Sequence, residues 1–277
     1  MIRAPMNDDG YGASDLLDPR DRGLQYGDGL FETMAVRDGR IPWLTYHLRR
    51  LRAGCGRLRI TPPRTVELRR EIAKLSAGQA RAIIKLIVTR GIGGRGYRPD
   101  PTAPGRHIIM RHPWPAHAYA REHEGIRLRI CRTRLAVNPA LAGIKHLNRL
   151  EQVLARMEWR DDSRFQEGLM LDWQDRVIEG TMTNLFIVRA GRLWTADLTQ
   201  SGVAGVMREI ILEVASQQTI PLRVTALALQ DVAQADEVFV CNSVIGIWPV
   251  VALNRQRYPL GLLTRQLADA VEARAKY

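Results

Sequence analysis

Cysteine is scarce in this chain. Cys55, Cys131 and Cys241 are the three in 277 residues, far apart and with no C-x-x-C pair. That spacing excludes a zinc ribbon and a dithiol redox site, and an odd, sparse count fits a reducing compartment. Long apolar runs are missing too, so no segment has the length to span a bilayer. The opening MIRAPMNDDGYGASD has no apolar stretch of the kind a secretory leader needs. The expectation is a cytoplasmic protein with no membrane partner. Aromatic residues make up only 6% and do not interleave with the basic clusters HLRRLR (47–52) and RLRICRTR (127–134). No run of five or six like charges forms a tail. The net charge of +12 therefore reads as a solvated basic surface, or as a field that attracts an anionic ligand, and no nucleic-acid partner is expected. A basic nucleic-acid-binding protein remains the alternative of another class. No G-x-S-x-G elbow presents a serine nucleophile. His107, His112, His117 and His123 follow at intervals of five, five and six, off any common helix face and interrupted by prolines, so no metal site is expected.

What is present is ample material for a core. Hydrophobic residues make up 45% and charged residues 25%, the balance of a globular protein large enough for one big or two ordinary domains. GLFETMAVRD (29–38) and the following GRIPW read as strand, turn, strand. Leu44, Leu48, Leu51, Cys55 and Leu58 recur at helical spacing. TVELRREIAKL predicts a second helix, and ARAIIKLIVTR and HIIMRHPW predict strands. PWPAHAYAREHEG, with two prolines, reads as a connection, which puts a domain boundary between 1–118 and 119–277. In the second part, IRLRICRTR is a strand and 144–159 a helix. EGLMLDWQDRVIEGTMTNLFIVRAGRLWT gives three short strands with turns at WQDR and RAGR. GVMREIILEVASQQ is a helix entered through Gly202 and Gly205, and a last helix closes the chain. The class is α/β or α+β, with mixed sheets in two parts.

GIGGRGY (91–97) contains G-x-G-x-x-G after a strand, but YRPDPTAPG follows and cannot form the helix that a dinucleotide fingerprint requires. It is either a plain glycine turn or a loop presenting Arg95 and Tyr97. Lys145, in LAGIKHLNRLEQVLARMEW (141–159), sits at the head of an apolar stripe. Such a lysine either snorkels to water or is a desolvated amine able to join a carbonyl cofactor. Pyridoxal phosphate would require three partners: a carboxylate for its ring nitrogen, an arginine for its phosphate, and a helix N-terminus with open N–H groups. Glu179, Arg50, and Val206 with Met207 offer these in turn, although each also has an ordinary reading as a turn carboxylate, a surface charge or a helix entry.

The motifs YGDGLFETM, RGIGGRGY, KHLNRLEQVLAR, EGTMTNLF, GVAGVMRE and CNSVIGIWPV, in this order, resemble the fold-type IV pyridoxal-phosphate enzymes, and within them the aminodeoxychorismate lyases, from about Asp21 to Pro249. The resemblance implies a smaller N-terminal α/β domain, a larger C-terminal pseudo-barrel domain that binds the cofactor, and a homodimer. It implies that Lys145 carries pyridoxal 5'-phosphate covalently and acts as the base. Glu179 would serve the pyridine nitrogen, and Arg50 with the Val206 and Met207 backbone the phosphate. The turn at Met182 and Thr183 would close over the ring, and Thr33, Arg95, Tyr97 and Asn242 would contact substrate. The small-molecule substrate implied is 4-amino-4-deoxychorismate, split into 4-aminobenzoate and pyruvate for folate synthesis. An aminotransferase of D-amino acids, branched-chain amino acids or (R)-amines is the alternative within the family. Leu150 stands where branched-chain aminotransferases carry tyrosine, and D-amino-acid aminotransferases would lack the NRLEQ and GGRGY features. Met207 replaces a threonine common in aminotransferases, removing one hydroxyl from the phosphate site.

Overall fold

The computed structural model describes residues 17–115 and 118–275. The opening MIRAPMNDDGYGASD and His117 lie outside the described residues. The chain divides into two compact units, one running to Trp114 and adding Lys145–Asn148, the other comprising Pro115–Ile144 and Arg149 onward.

In unit 1, β1 (Gly29–Arg37), β2 (Arg81–Thr89) and β3 (Arg106–His112) form an antiparallel sheet in that order. A two-residue turn at Asp38-Gly39, both at positive φ, leaves β1. Such a turn asks for a small or Asx residue at each position. The expected second strand at GRIPW is absent: Arg40 only closes the turn onto Arg37, and Pro42 has no N–H to extend a ladder. The alternation of β1 and β2 buries Leu30, Glu32, Met34 and Val36 opposite Val88, Leu86, Ile84 and Ala82. The helices α2 (Leu44–Leu58) and α3 (Thr65–Ser76) contribute Leu48, Leu51 and Cys55, and Leu68 and Ile72, to the same core. Phe31, Thr33 and Lys85 occupy the other, half-buried face. A short helix, α1 (Arg22–Tyr26), precedes β1.

Unit 2 opens with α4 (Ala118–Glu124), a helix where the sequence suggested a plain connection, then β4 (Ile126–Leu135). The helix expected over 144–159 is only α5 (Leu150–Arg156). Tertiary pairing overrides the local periodicity. Gly143 turns the chain at φ +78°. The Lys145 carbonyl accepts a hydrogen bond from Phe31 N–H (3.0 Å), and Leu147 N–H donates to the Gly29 carbonyl (3.0 Å). These backbone groups are spent on β1 and cannot close helical turns. The apolar positions that remain, Leu150, Val153 and Leu154 on α5 and Met157 at its C-cap, form an exposed stripe.

Four strands, not three, follow: β5 (Glu167–Asp172), β6 (Arg176–Gly180), β7 (Asn184–Arg189) and β8 (Arg192–Ala196). The extra break is the tight turn Thr181–Thr183. Next come α6 (Val206–Gln217), β9 (Leu222–Thr225), β10 (Leu227–Ala228), α7 (Leu229–Ala233), β11 (Glu237–Asn242), β12 (Gly246–Leu253), β13 (Gln256–Arg257) and α8 (Leu262–Ala275). The sheet runs β10-β6-β5-β4-β12-β11-β7-β8-β9, and an added pairing of β6 with β7 at Glu179 and Asn184 closes six of its strands into a ring. The fold is thus mixed α/β with a barrel-like sheet. Phe186 and Phe239 stack inside it with ring centroids 5.0 Å apart. Val206, Met207, Ile210, Ile211 and Val214 form the buried face of α6. All three cysteines are free and buried.

Candidate active site

The expected site residues fall into two groups, one in each unit. In unit 1, the short extended run from Lys145 to Leu147 lies along β1. Lys145 Nζ sits 4.3 Å from the Phe31 ring centroid, a distance at which an ammonium is attracted to the ring face. Lys85 Nζ stands 5.6 Å from the same centroid and pairs in register with Thr33. From the sequence alone Lys85, on a strand of the other half, has no setting comparable to that of Lys145; the structure corrects this, because its partner Phe31 comes from another strand. Thr33, Lys85 and Lys145 therefore share surroundings.

Arg50 extends from α2 to Glu32, donating Nε to Oε1 (2.9 Å) and Nη2 to Oε2 (2.5 Å). His47 Nδ1 lies 2.6 Å from Oε2, the oxygen that also accepts from Arg50 Nη2. Glu32 is 1% exposed. Burial alone would raise its pKa, but the Arg50 and His47 partners outweigh it and hold the carboxyl at about 2. Burial pushes His47 down despite Glu32, so its ring is neutral, and its Nε2 is buried with no hydrogen-bond partner among the described residues. Glu32 thus fixes the orientation of the Arg50 guanidinium by a planar two-point contact. Arg95 is exposed, and Tyr97, 85% exposed, turns its ring edge to Tyr26 instead of the Phe31 face.

In unit 2, Glu179 is the penultimate residue of β6 and is buried. Its Oε2 accepts from Val203 N–H at 2.8 Å. The loop carrying Val203 is held by Gly143, two residues before Lys145 in the chain: Gly143 N–H donates to the Gly202 carbonyl (2.8 Å) and Ala204 N–H to the Gly143 carbonyl (3.1 Å). Gly202 has φ +82°, and a side chain there would meet Ile178 at 2.7 Å and Glu179 at 3.2 Å. Gly205 caps α6 with no side-chain bond, and a Cβ at Gly205 would fall 2.0 Å from Asn184 Oδ1. The first N–H groups of a helix have no intrahelical acceptor. A glycine cap leaves those of Val206 and Met207 to a ligand, and the helix dipole favours an anion there. A buried carboxylate one loop away from a glycine-led helix start is the donor set that a protonated pyridine bearing a phosphate requires, so these residues fit the cofactor.

Glu167, at the start of β5, is a residue that the sequence did not flag. Its carboxylate lies beneath the turn after Glu179, 1% exposed. Oε1 accepts from Gly168 N–H (2.8 Å), Thr181 N–H (3.0 Å) and the Thr181 hydroxyl, and Oε2 from Met182 N–H (3.2 Å) and the Thr183 hydroxyl (3.0 Å). Burial raises its pKa despite these donors. Met182 is half exposed, and its carbonyl accepts from Asn242 Nδ2 at 3.2 Å. The structure thus brings Glu179, Met182, Thr183, Asn242, Val206 and Met207 into one unit around Glu167 and the Val203 loop.

Two predictions follow from this geometry. Glu32 has a folded pKa of about 2, below its ordinary value near 4.5, so it stabilises the fold above pH 4.5 and loses that contribution as pH falls toward 2. Glu32→Gln should therefore flatten the acid limb of a stability-against-pH curve in that window, as read by denaturant titration. Glu167→Ala should lower the affinity for cofactor by about 10-fold or more, since it strands several buried donors, whereas Glu167→Gln should recover part of the loss. Fluorescence titration of the apoprotein measures both.

The sequence matches the family described as Amino-transferase class IV over residues 29–253. It is 40% identical to an aminodeoxychorismate lyase of Vibrio harveyi across 89% of this chain and 92% of that one. It is 32% identical to a putative branched-chain-amino-acid aminotransferase of Methanocaldococcus jannaschii, covering 90% and 88%. Among solved structures, 4-amino-4-deoxychorismate lyase from Pseudomonas aeruginosa superposes with a TM-score of 0.89 at 51% identity, covering 94% and 96% of the two chains. This chain belongs to the class IV aminotransferase family of pyridoxal-phosphate enzymes.

Proposed function

We propose that the protein is a pyridoxal-phosphate-dependent carbon–oxygen lyase that converts 4-amino-4-deoxychorismate to 4-aminobenzoate and pyruvate in the cytoplasm. The observation that carries this reading is the 51% identity, over nearly the whole chain, to the lyase from Pseudomonas aeruginosa. The aminotransferase alternative has weaker support. Its relatives are less similar, and Leu150, where branched-chain aminotransferases have tyrosine, is 75% exposed.

In this reading Lys145 Nζ carries the cofactor. Bound pyridoxal phosphate supplies an aldehyde that condenses with amines and a ring that accepts an electron pair. Arg50, held by Glu32, and the N–H groups of Val206 and Met207 bind the phosphate. Met207 contributes backbone only. Glu179, anchored by Val203, keeps a proton on the pyridine nitrogen. The turn Met182–Thr183, supported by Glu167, covers the ring and excludes water. With the substrate amine in its place on the cofactor, Lys145 Nζ would be a free amine able to take the proton from C4 of the substrate; the bond to the enolpyruvyl oxygen breaks with its electron pair on that oxygen, the leaving group takes up a proton and departs as pyruvate, and aromatisation of the six-membered ring drives the reaction forward. The substrate has two carboxylates. Lys85, beside Thr33, and Arg95 are cations suited to them, with Tyr97 and Asn242 as further contacts.

A homodimer is part of the same proposal. The stripe Leu150, Val153, Leu154 and Met157 on α5 and its C-cap follows the i, i+3, i+4, i+7 pattern of a helix face that is usually covered, yet it is exposed. A second copy would bury it.

Purified holoprotein should release pyruvate from aminodeoxychorismate faster than it transaminates D-alanine or leucine, and the reverse ranking would make it an aminotransferase. Lys145→Ala should lose the visible absorption band and about 10³-fold or more of turnover, while full activity would refute the assignment of the base. Leu154→Glu, at an exposed site, should leave the fold intact and shift sedimentation from dimer to monomer. An unchanged dimer would place the interface elsewhere.

A further inference from the structure

The loop Gly94–Tyr97 carries two of the proposed substrate contacts yet contains no regular structure. What holds it is a line of buried charges in unit 1 that the reaction does not use. Arg22 is only 4% exposed. Its Nη1 donates to the Gly96 carbonyl at 2.8 Å and its Nη2 to the Tyr97 carbonyl at 2.9 Å. Its Nε donates to Asp28 Oδ2 at 3.0 Å. Asp28 is in turn gripped by Arg90, with Nε 2.7 Å from Oδ2 and Nη2 3.0 Å from Oδ1. Arg90 also donates to the carbonyls of Leu58 and Arg59 at the end of α2, both at 2.7 Å. Burial pushes the Asp28 carboxyl up, but Arg90 and Arg22 outweigh it and bring it down, so it is a carboxylate between two guanidiniums.

The surroundings of Arg22 are built to the same end. Asp21, fully buried, caps α1 by accepting from Gly23 N–H (2.8 Å) and also accepts from the Thr89 hydroxyl (2.9 Å). Arg22 N–H donates to the Gly91 carbonyl at 2.9 Å. The Arg22 guanidinium lies 4.7 Å from the Tyr26 ring centroid. The Tyr26 hydroxyl accepts from Gly96 N–H at 3.2 Å, and the Tyr26 ring meets that of Tyr97 edge-on at 5.5 Å. Gly93 passes so close that a Cβ would lie 2.7 Å from the Arg22 side chain. Two successive carbonyls, one N–H and one ring of the loop are thus tied to α1. A loop with two glycines in four residues, preceded by a third at Gly93, would otherwise lose much entropy on ordering, and Arg22 supplies that order before any ligand arrives.

We propose that Arg22 is a positioning residue that sets the backbone of the Arg95–Tyr97 loop through its two carbonyl contacts and thereby sets the affinity for an anionic, carboxylate-bearing substrate. The inference rests on the reading of Arg95 and Tyr97 as substrate contacts. Arg22 touches no reacting atom, so its effect belongs in KM, not in kcat.

Arg22→Lys keeps the ion pair to Asp28 but cannot span both carbonyls, and Tyr26→Phe removes only the acceptor of Gly96 N–H. In the holoenzyme, Arg22→Lys should raise amide hydrogen exchange at Gly96 about 10-fold, and Tyr26→Phe by a similar factor or less, the loss expected for one to two hydrogen bonds. Arg22→Lys should also raise KM for aminodeoxychorismate about 10-fold, with kcat and the cofactor's visible band unchanged. Unchanged exchange at Gly96 in Arg22→Lys would overturn the proposal. So would faster exchange with unchanged KM, or a fall in kcat together with loss of the visible band. A wild-type protein with no lyase turnover would refute the lyase reading, and the exchange comparison would still decide the role of Arg22.

Discussion

Two backbone hydrogen bonds determine where the candidate catalytic amine stands. Phe31 N–H donates to the Lys145 carbonyl, and Leu147 N–H donates to the Gly29 carbonyl. A lysine on a helix surface would have many rotamers in water. A lysine whose peptide is paired to a strand has its Cα fixed, and its chain passes over the Phe31 ring. Preorganisation of this kind is what a base that must reach one carbon requires. It also explains why four residues of the segment join unit 1 while the chain on either side belongs to unit 2.

Unit 2 is governed by ring closure. Because β6 and β7 pair only at Glu179 and Asn184, the turn between them must be tight, and its N–H groups point inward. Glu167 accepts them. Two carboxylates thus divide the labour around one turn. Glu179 accepts from the Val203 loop N–H, whereas Glu167 accepts from five donors around the turn. The contrast follows from position: Glu179 faces the Val203 loop, and Glu167 lies beneath the turn. Unit 1 has a buried carboxylate of its own in Glu32, which holds both Arg50 and His47.

Much of this was legible from periodicity. The apolar spacing of Leu48, Leu51 and Cys55 marks α2, and the alternation in GLFETMAVR marks β1. The resemblance of the motifs pointed to Lys145, Glu179 and the α6 start; the structure sets Lys145 over the Phe31 ring, buries Glu179 and places Gly205 at the N-cap of α6. The failures have one cause. Wherever a residue's partner is remote in sequence, local pattern misleads. Lys145 looked helical because β1 is invisible from within its own segment. Glu167 looked like an ordinary strand carboxylate, and Lys85 an ordinary strand cation. Arg22 and Arg90 looked like part of a solvated basic surface, yet both are buried and paired.

The buried cysteines have a practical consequence. Desolvation raises the thiols of Cys55 and Cys131 to about 11 and about 12, and pushes Cys241 higher still. Thiolate, the nucleophile that attacks alkylating reagents and peroxide, is scarce at every one of them. Burial and the scarcity of thiolate both disfavour reaction of the native three, so a cysteine introduced on an exposed loop would be the position that a maleimide dye or spin probe labels first.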